Sequence, residues 1–189
     1  MVKKKSCVFI SGAGTNLRAL IRSSREYNYP ININLVISDN KNALGLKIAK
    51  KYNIDYKIFD LKKNNQLEIA LRVLKKKKIS LICLAGYMKI LSKKFIKRFN
   101  KRIINIHPSL LPKYKGLDTF KKVLINKEKL TGCSVHFVSE KLDSGKIILQ
   151  KKIYVENNDD INSLKAKVQS KEYTAYSEAI VKLYSNISS

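Results

Sequence analysis

The chain is poor in the residues that staple a protein together or moor it to a membrane. Its 189 residues include three cysteines, Cys7, Cys83 and Cys133, each inside a strand-like run and none at disulfide or zinc-ligand spacing. They read as small buried hydrophobes of a reducing cytoplasm, and neither a disulfide scaffold nor a zinc module is expected. No apolar stretch approaches the length that spans a bilayer. The apolar run behind the basic start stops at Gly12, so no secretory leader and no membrane partner are expected. Internal repeats and low-complexity linkers are also missing. With 44% hydrophobic residues, the chain can bury a core without staples. The expectation is one domain over residues 1–189, cytoplasmic, a monomer or weak homodimer.

Acidic residues are scarce too. Asp and Glu number 14 against 39 Lys and Arg, a net charge of +25. Such an excess attracts nucleic acid non-specifically. The lysines, however, are scattered through every segment, with Lys75–Lys78 the longest run, and no basic stripe carries interleaved aromatics. They read as solvated faces that steer anionic small-molecule substrates, with no specific nucleic-acid partner.

What is present alternates. Apolar runs at Ser6–Ile10, Ile33–Ser38, Tyr56–Phe59, Leu81–Ala85 and Ile103–His107 read as strands, with helical patterns between them. This order predicts an α/β domain with a doubly wound, mostly parallel sheet flanked by helices. Gly132–Val138 and Lys146–Val155 predict a C-terminal antiparallel strand segment, and Ile161–Tyr184 a long last helix. That helix puts Ile161, Leu164, Val168, Tyr176, Ile180 and Leu183 on one face. Glu172 falls on the same face, where a carboxylate is unfavourable unless paired or bound to a ligand.

Three stretches carry chemistry. Ser11-Gly-Ala-Gly-Thr-Asn16 joins the first strand to a helix start, an arrangement that aims free backbone N–H groups at an anion. The third glycine of a dinucleotide fingerprint is missing. Gly14, Thr15 and Asn16 therefore favour a monophosphate held by backbone and short polar side chains, against an ordinary turn. The second stretch contains one of only two histidines. In Ile103-Ile-Asn-Ile-His-Pro-Ser-Leu-Leu-Pro112, Asn105 and His107 lie two apart on a strand and share a face. Pro108 should end the ladder there, presenting an amide and an imidazole at the carboxyl edge of the sheet. Third, Asp143 stands in an Asp-Ser-Gly turn, and taken alone it is a turn former. The other histidine, His136, sits inside a strand and reads as structural. Asp118 reads as the cap of a helix running to Asn126.

Asn105-Ile-His-Pro-Ser-Leu-Leu-Pro112, preceded by Ala85-Gly-Tyr-Met-Lys-Ile-Leu91 and followed by Leu142-Asp-Ser-Gly145, resembles the folate-dependent formyltransferases. The likeness runs from about Lys5 to Tyr184 and is greatest to the branch that formylates glycinamide ribonucleotide. It implies 10-formyltetrahydrofolate as co-substrate, with no metal. Asn105, His107 and Asp143 would be catalytic: the amide for the oxyanion, the imidazolium as general acid, the carboxylate to stabilise it. The ribonucleotide would be held by Gly14, Thr15, Asn16 and Glu172. The folate would lie against Met88, Lys89, Ile90, Leu91, Asn105, Ser139, Glu140, Lys141, Leu142 and Asp143. Many relatives carry histidine where Asp118 and Phe120 stand here, so this chain departs from them in the residues around the central pair, though not in the pair itself.

Three alternatives stay open. A transfer-RNA formyltransferase shares the chemistry but usually appends a C-terminal domain. A formyltetrahydrofolate hydrolase carries an extra N-terminal one. A non-enzymatic nucleic-acid binder would follow from charge alone.

Overall fold

The computed structural model describes residues 2–185. Helices and strands alternate through its first half: β1 (Lys4–Ile10), α1 (Thr15–Ser24), β2 (Ile31–Ser38), α2 (Leu44–Lys51), β3 (Tyr56–Ile58), α3 (Asn64–Lys76), β4 (Leu81–Leu84) and α4 (Lys93–Phe99). Then come β5 (Arg102–His107), α5 (Thr119–Ile125), β6 (Leu130–Phe137), β7 (Ile147–Tyr154) and α6 (Ile161–Ser185). The strands are ordered β3-β2-β1-β4-β5-β6-β7 in one seven-stranded sheet. By compactness the chain divides inside β5, between Ile104 and Asn105, into two units.

In the first unit, β1 pairs in parallel with β2 and β4, and β2 with β3. Cys7–Ile10 and Leu81–Leu84 are buried along their whole length. Continuous apolar runs of this kind suit inner parallel strands covered on both faces. β3 is a three-residue exposed edge, too short to recruit another chain. The chain steps outward from β1 through β2 to β3, then returns to the other side of β1 for β4. That reversal is a topological switch point, and its crevice lies at the carboxyl ends of β1 and β4.

A pair of glycines fixes the entry to α1. Gly14 is the N-cap in the left-handed region, at φ 73. A Cβ there would lie 2.6 Å from the Gly45 Cα, and the Gly45 N–H donates to the Gly12 carbonyl over 3.0 Å. The starts of α1 and α2 therefore touch backbone to backbone. Gly14 has a packing reason for being glycine, whatever its loop binds.

In the second unit, β6 and β7 form the antiparallel pair. α6 buries Leu164, Val168, Ala175, Tyr176, Ala179 and Ile180, with Glu172 buried in the same stripe. Its first turn departs from the expected apolar face, since Ile161 is exposed. At the far end Leu183 is only half-buried and Tyr184 takes the inner place. The helix entry is held by a reciprocal pair: Ser163 N–H donates to Asp160 Oδ1 (2.7 Å) and Asp160 N–H to Ser163 Oγ (2.9 Å).

α5 corrects one expectation. Asp118 occupies its N-cap position, but the side chain accepts no capping bond. A capping carboxylate reaches the first-turn amides from the β region, whereas Asp118 is left-handed at φ 59. Only its carbonyl serves the helix, accepting from Lys122 N–H.

Candidate active site

In the first unit, the Gly12–Asn16 loop leaves β1 and the Gly86–Leu91 segment leaves β4, both at the switch point. Ser11 joins them. Its N–H donates to the Gly86 carbonyl (3.1 Å) and its Oγ accepts from Met88 N–H (2.8 Å). That hydroxyl in turn donates to Asp39 Oδ1 (2.6 Å), and Asn40 Nδ2 donates to the Ser11 carbonyl (3.1 Å). Thr15 opens α1 and Asn16 is buried in its first turn. Met88 and Ile90 are exposed, 64% and 74%, while Leu91 is buried. An apolar wall facing solvent beside a glycine loop offers a flat ring a place to lie.

In the second unit, β5 ends at His107, where Pro108 can donate nothing to a ladder. The loop after it is fastened to β6 and β7. Ser134 Oγ donates to the Ser109 carbonyl (2.6 Å) and accepts from Leu111 N–H (3.0 Å). Gln150 Nε2 donates to that same hydroxyl and to the Leu111 carbonyl. Pro108 to Pro112 is thus held in one shape by a buried serine and a glutamine.

Asp143 meets His107. Its Oδ2 lies 3.4 Å from His107 Nδ1, with the two side chains 8% and 6% exposed. Gly116 N–H donates to Oδ2 over 2.9 Å. The other ring nitrogen, Nε2, lies 2.8 Å from the Tyr114 carbonyl oxygen. A carbonyl only accepts, so Nε2 carries a proton and Nδ1 is the nitrogen turned to Asp143.

His136, read as a structural histidine, is buried and lies against Asn105 and Asp143. Its Nδ1 lies 2.9 Å from the Phe137 carbonyl oxygen, which makes it a donor and leaves Nε2 as an acceptor. Asn105 Nδ2 is 3.3 Å from that Nε2, and Asp143 Oδ1 is 3.6 Å from it. Burial depresses the His136 pKa below the ordinary imidazole value; the Phe137 carbonyl and the Asp143 charge oppose the shift. A neutral ring here fixes which way the Asn105 amide faces. The sequence held one signal for this: a chain with two histidines, both on strands ending at loops.

Ser139–Leu142 form the loop between β6 and β7, with Glu140, Lys141 and Leu142 exposed. Glu172 is buried on α6 and raises the Cys133 pKa, after burial itself, to about 12. Among the described residues, no group of three or more His, Cys, Asp or Glu could hold a metal ion, and no helix is long and apolar enough to cross a membrane.

Known proteins resemble this chain along most of its length. A family model described as "Formyl transferase" matches residues 4–180. The chain is 43% identical over 178 residues to the phosphoribosylglycinamide formyltransferase of Haemophilus influenzae, covering 92% of this chain and 84% of that one. It is 41% identical to the trifunctional purine biosynthetic protein adenosine-3 of Gallus gallus, covering 94% of this chain but spanning only 18% of that protein's length. The crystal structure of phosphoribosylglycinamide formyltransferase from Brucella melitensis superposes with a TM-score of 0.91 at 39% identity, covering 96% of each chain.

Proposed function

The chain belongs to the formyl transferase family, and on that premise we propose that it transfers the formyl group of 10-formyltetrahydrofolate to glycinamide ribonucleotide in purine biosynthesis. Residues 1–189 work in this reading as a single cytoplasmic formyltransferase domain, monomeric or weakly dimeric, on small-molecule substrates and without a metal. The observation that supports it is the contact of Asp143 with His107 and, by way of His136, with Asn105, in a chain of this family.

The reaction forms one C–N bond and breaks another. The substrate amine adds to the formyl carbon, the bond from that carbon to N10 breaks, and the amine's proton is exchanged for one on N10. Such an acyl transfer needs a stabilised oxyanion and a proton for the leaving nitrogen. One N–H of the Asn105 amide faces His136, which leaves the second for the formyl oxygen. His107 Nε2–H is held by Tyr114, so Nδ1 is the atom that gives and receives the moving proton. Asp143, fixed by Gly116 N–H, balances the imidazolium charge. Binding falls to other residues: the phosphate to Gly14, Thr15 and Asn16 at the start of α1, and the ribonucleotide also to Glu172. The pterin falls to Met88–Leu91 and to Ser139–Asp143, the same segment that carries the catalytic carboxylate.

The test is single-residue replacement with steady-state kinetics. Asn105→Ala and His107→Ala are expected to lose about a hundredfold or more in kcat, the usual consequence of removing an oxyanion donor. Ribonucleotide binding should survive, because the phosphate anchor is elsewhere. Asp143→Asn keeps the shape and removes the charge, and should also suppress turnover. The double replacement should be far less damaged than the product of the single losses. Strict additivity would mean that these residues do not share one transition state.

A further inference from the structure

The loop after His107 is clamped from outside the candidate site. Tyr114 lies in the left-handed region at φ 54, an uncommon place for a bulky side chain. Its carbonyl receives His107 Nε2–H, and two residues later Gly116 N–H reaches Asp143. One short segment thus delivers a backbone group to each member of the His107–Asp143 pair.

What holds that segment is Glu128. Tyr114 OH donates to Glu128 Oε1 over 2.7 Å, and Lys113 Nζ donates to the same oxygen over 2.8 Å. Glu128 is itself tied to the end of α5, where its N–H donates to the Val123 carbonyl. On the other side, Ser109 Oγ donates to the Lys113 carbonyl over 2.6 Å. Lys113 and Tyr114 are therefore gripped from both flanks. Donation from Lys113 and then from Tyr114 keeps the Glu128 carboxyl below the usual glutamate range, so it stays charged at neutral pH.

We propose that Glu128 is a positioning residue: by anchoring the Tyr114 phenol it fixes the carbonyl that holds His107 Nε2–H, and so commits Nδ1 to Asp143. The link rests on the reading of His107 as the general acid. The competing role is an ordinary exposed ion pair with Lys113, which would matter little to anything.

The variants are Glu128→Ala, Glu128→Gln and Tyr114→Phe in the full chain, with thermal unfolding to confirm folding. Glu128→Ala and Tyr114→Phe are expected to lower kcat about tenfold and to leave both KM values within about twofold. Their combination should be no worse than either alone, since both break one link. Glu128→Gln, which can still accept from the phenol, should restore much of the loss. In a ¹H–¹⁵N imidazole spectrum, the Nε2–H signal of His107 should weaken in Glu128→Ala and persist in Glu128→Gln. Folded variants with unchanged kcat and an unchanged spectrum would overturn the proposal, as would additive losses. If His107→Ala itself left kcat intact, the acid role would fall, and the spectrum alone would decide whether Glu128 sets the tautomer.

Discussion

The Asp143 carboxylate faces three groups at once: Gly116 N–H, His107 Nδ1 and His136 Nε2. It can do so because its backbone is left-handed, at φ 44, and because Gly145 closes the turn behind it. A Cβ on Gly145 would lie 1.7 Å from the Phe137 carbonyl oxygen, so any replacement there must move the loop that carries Asp143. His107 has acceptors on both nitrogens, while burial lowers the His136 pKa beneath its ordinary 6.5. The unfolded chain takes up a proton at a pH where folded His136 still refuses one, so stability is intact above about pH 6.5 and is lost as pH falls towards the folded value. Unfolding free energies measured from pH 8 to pH 5 should show this decline in the native chain. The decline should be smaller in His136→Asn, and an identical pH dependence in the two would contradict the account.

The glycine loop separates packing from binding. At Gly14 a Cβ would strike the Gly45 backbone in a left-handed conformation, whereas at Gly12 nothing lies within 4 Å. Gly14→Ala should therefore destabilise the fold by about 1–3 kcal/mol, seen in denaturant melts. Gly12→Ala should leave stability within about 0.5 kcal/mol while raising KM for the ribonucleotide and sparing KM for the folate. Equal rises in both KM values would make the loop merely structural.

The strands themselves were legible in the sequence because buried parallel strands are continuous apolar runs, as at Cys7–Ile10 and Leu81–Leu84. Asn105 and His107 were legible as positions on one face at the end of a strand, because they lie two apart just before a proline. Asp118 was misread as a side-chain cap, and the neighbours of His136 were not foreseen, for a common reason. A cap needs a particular backbone region, and a strand histidine needs a partner arriving from another element. Neither is visible in local spacing. The Tyr114 carbonyl and the Gly116 N–H have no side-chain signature at all.

The molecule as a whole carries +25, yet the bonded lysines lie mostly in exposed pairs such as Lys77–Asp55 and Lys151–Glu178. If the remaining charge steers anionic substrates, rising salt should lower kcat/KM and leave kcat nearly constant. A tight, sequence-selective complex with duplex DNA at physiological salt would show a different role for the basic surface. The choice among folate-dependent formyl enzymes is settled by the acceptor. The decisive measurement is the initial rate of formyl transfer from 10-formyltetrahydrofolate to glycinamide ribonucleotide and, in parallel, to initiator transfer RNA. The account predicts turnover with the ribonucleotide and none with the transfer RNA. Comparable formylation of the transfer RNA, or release of formate with neither acceptor modified, would contradict it.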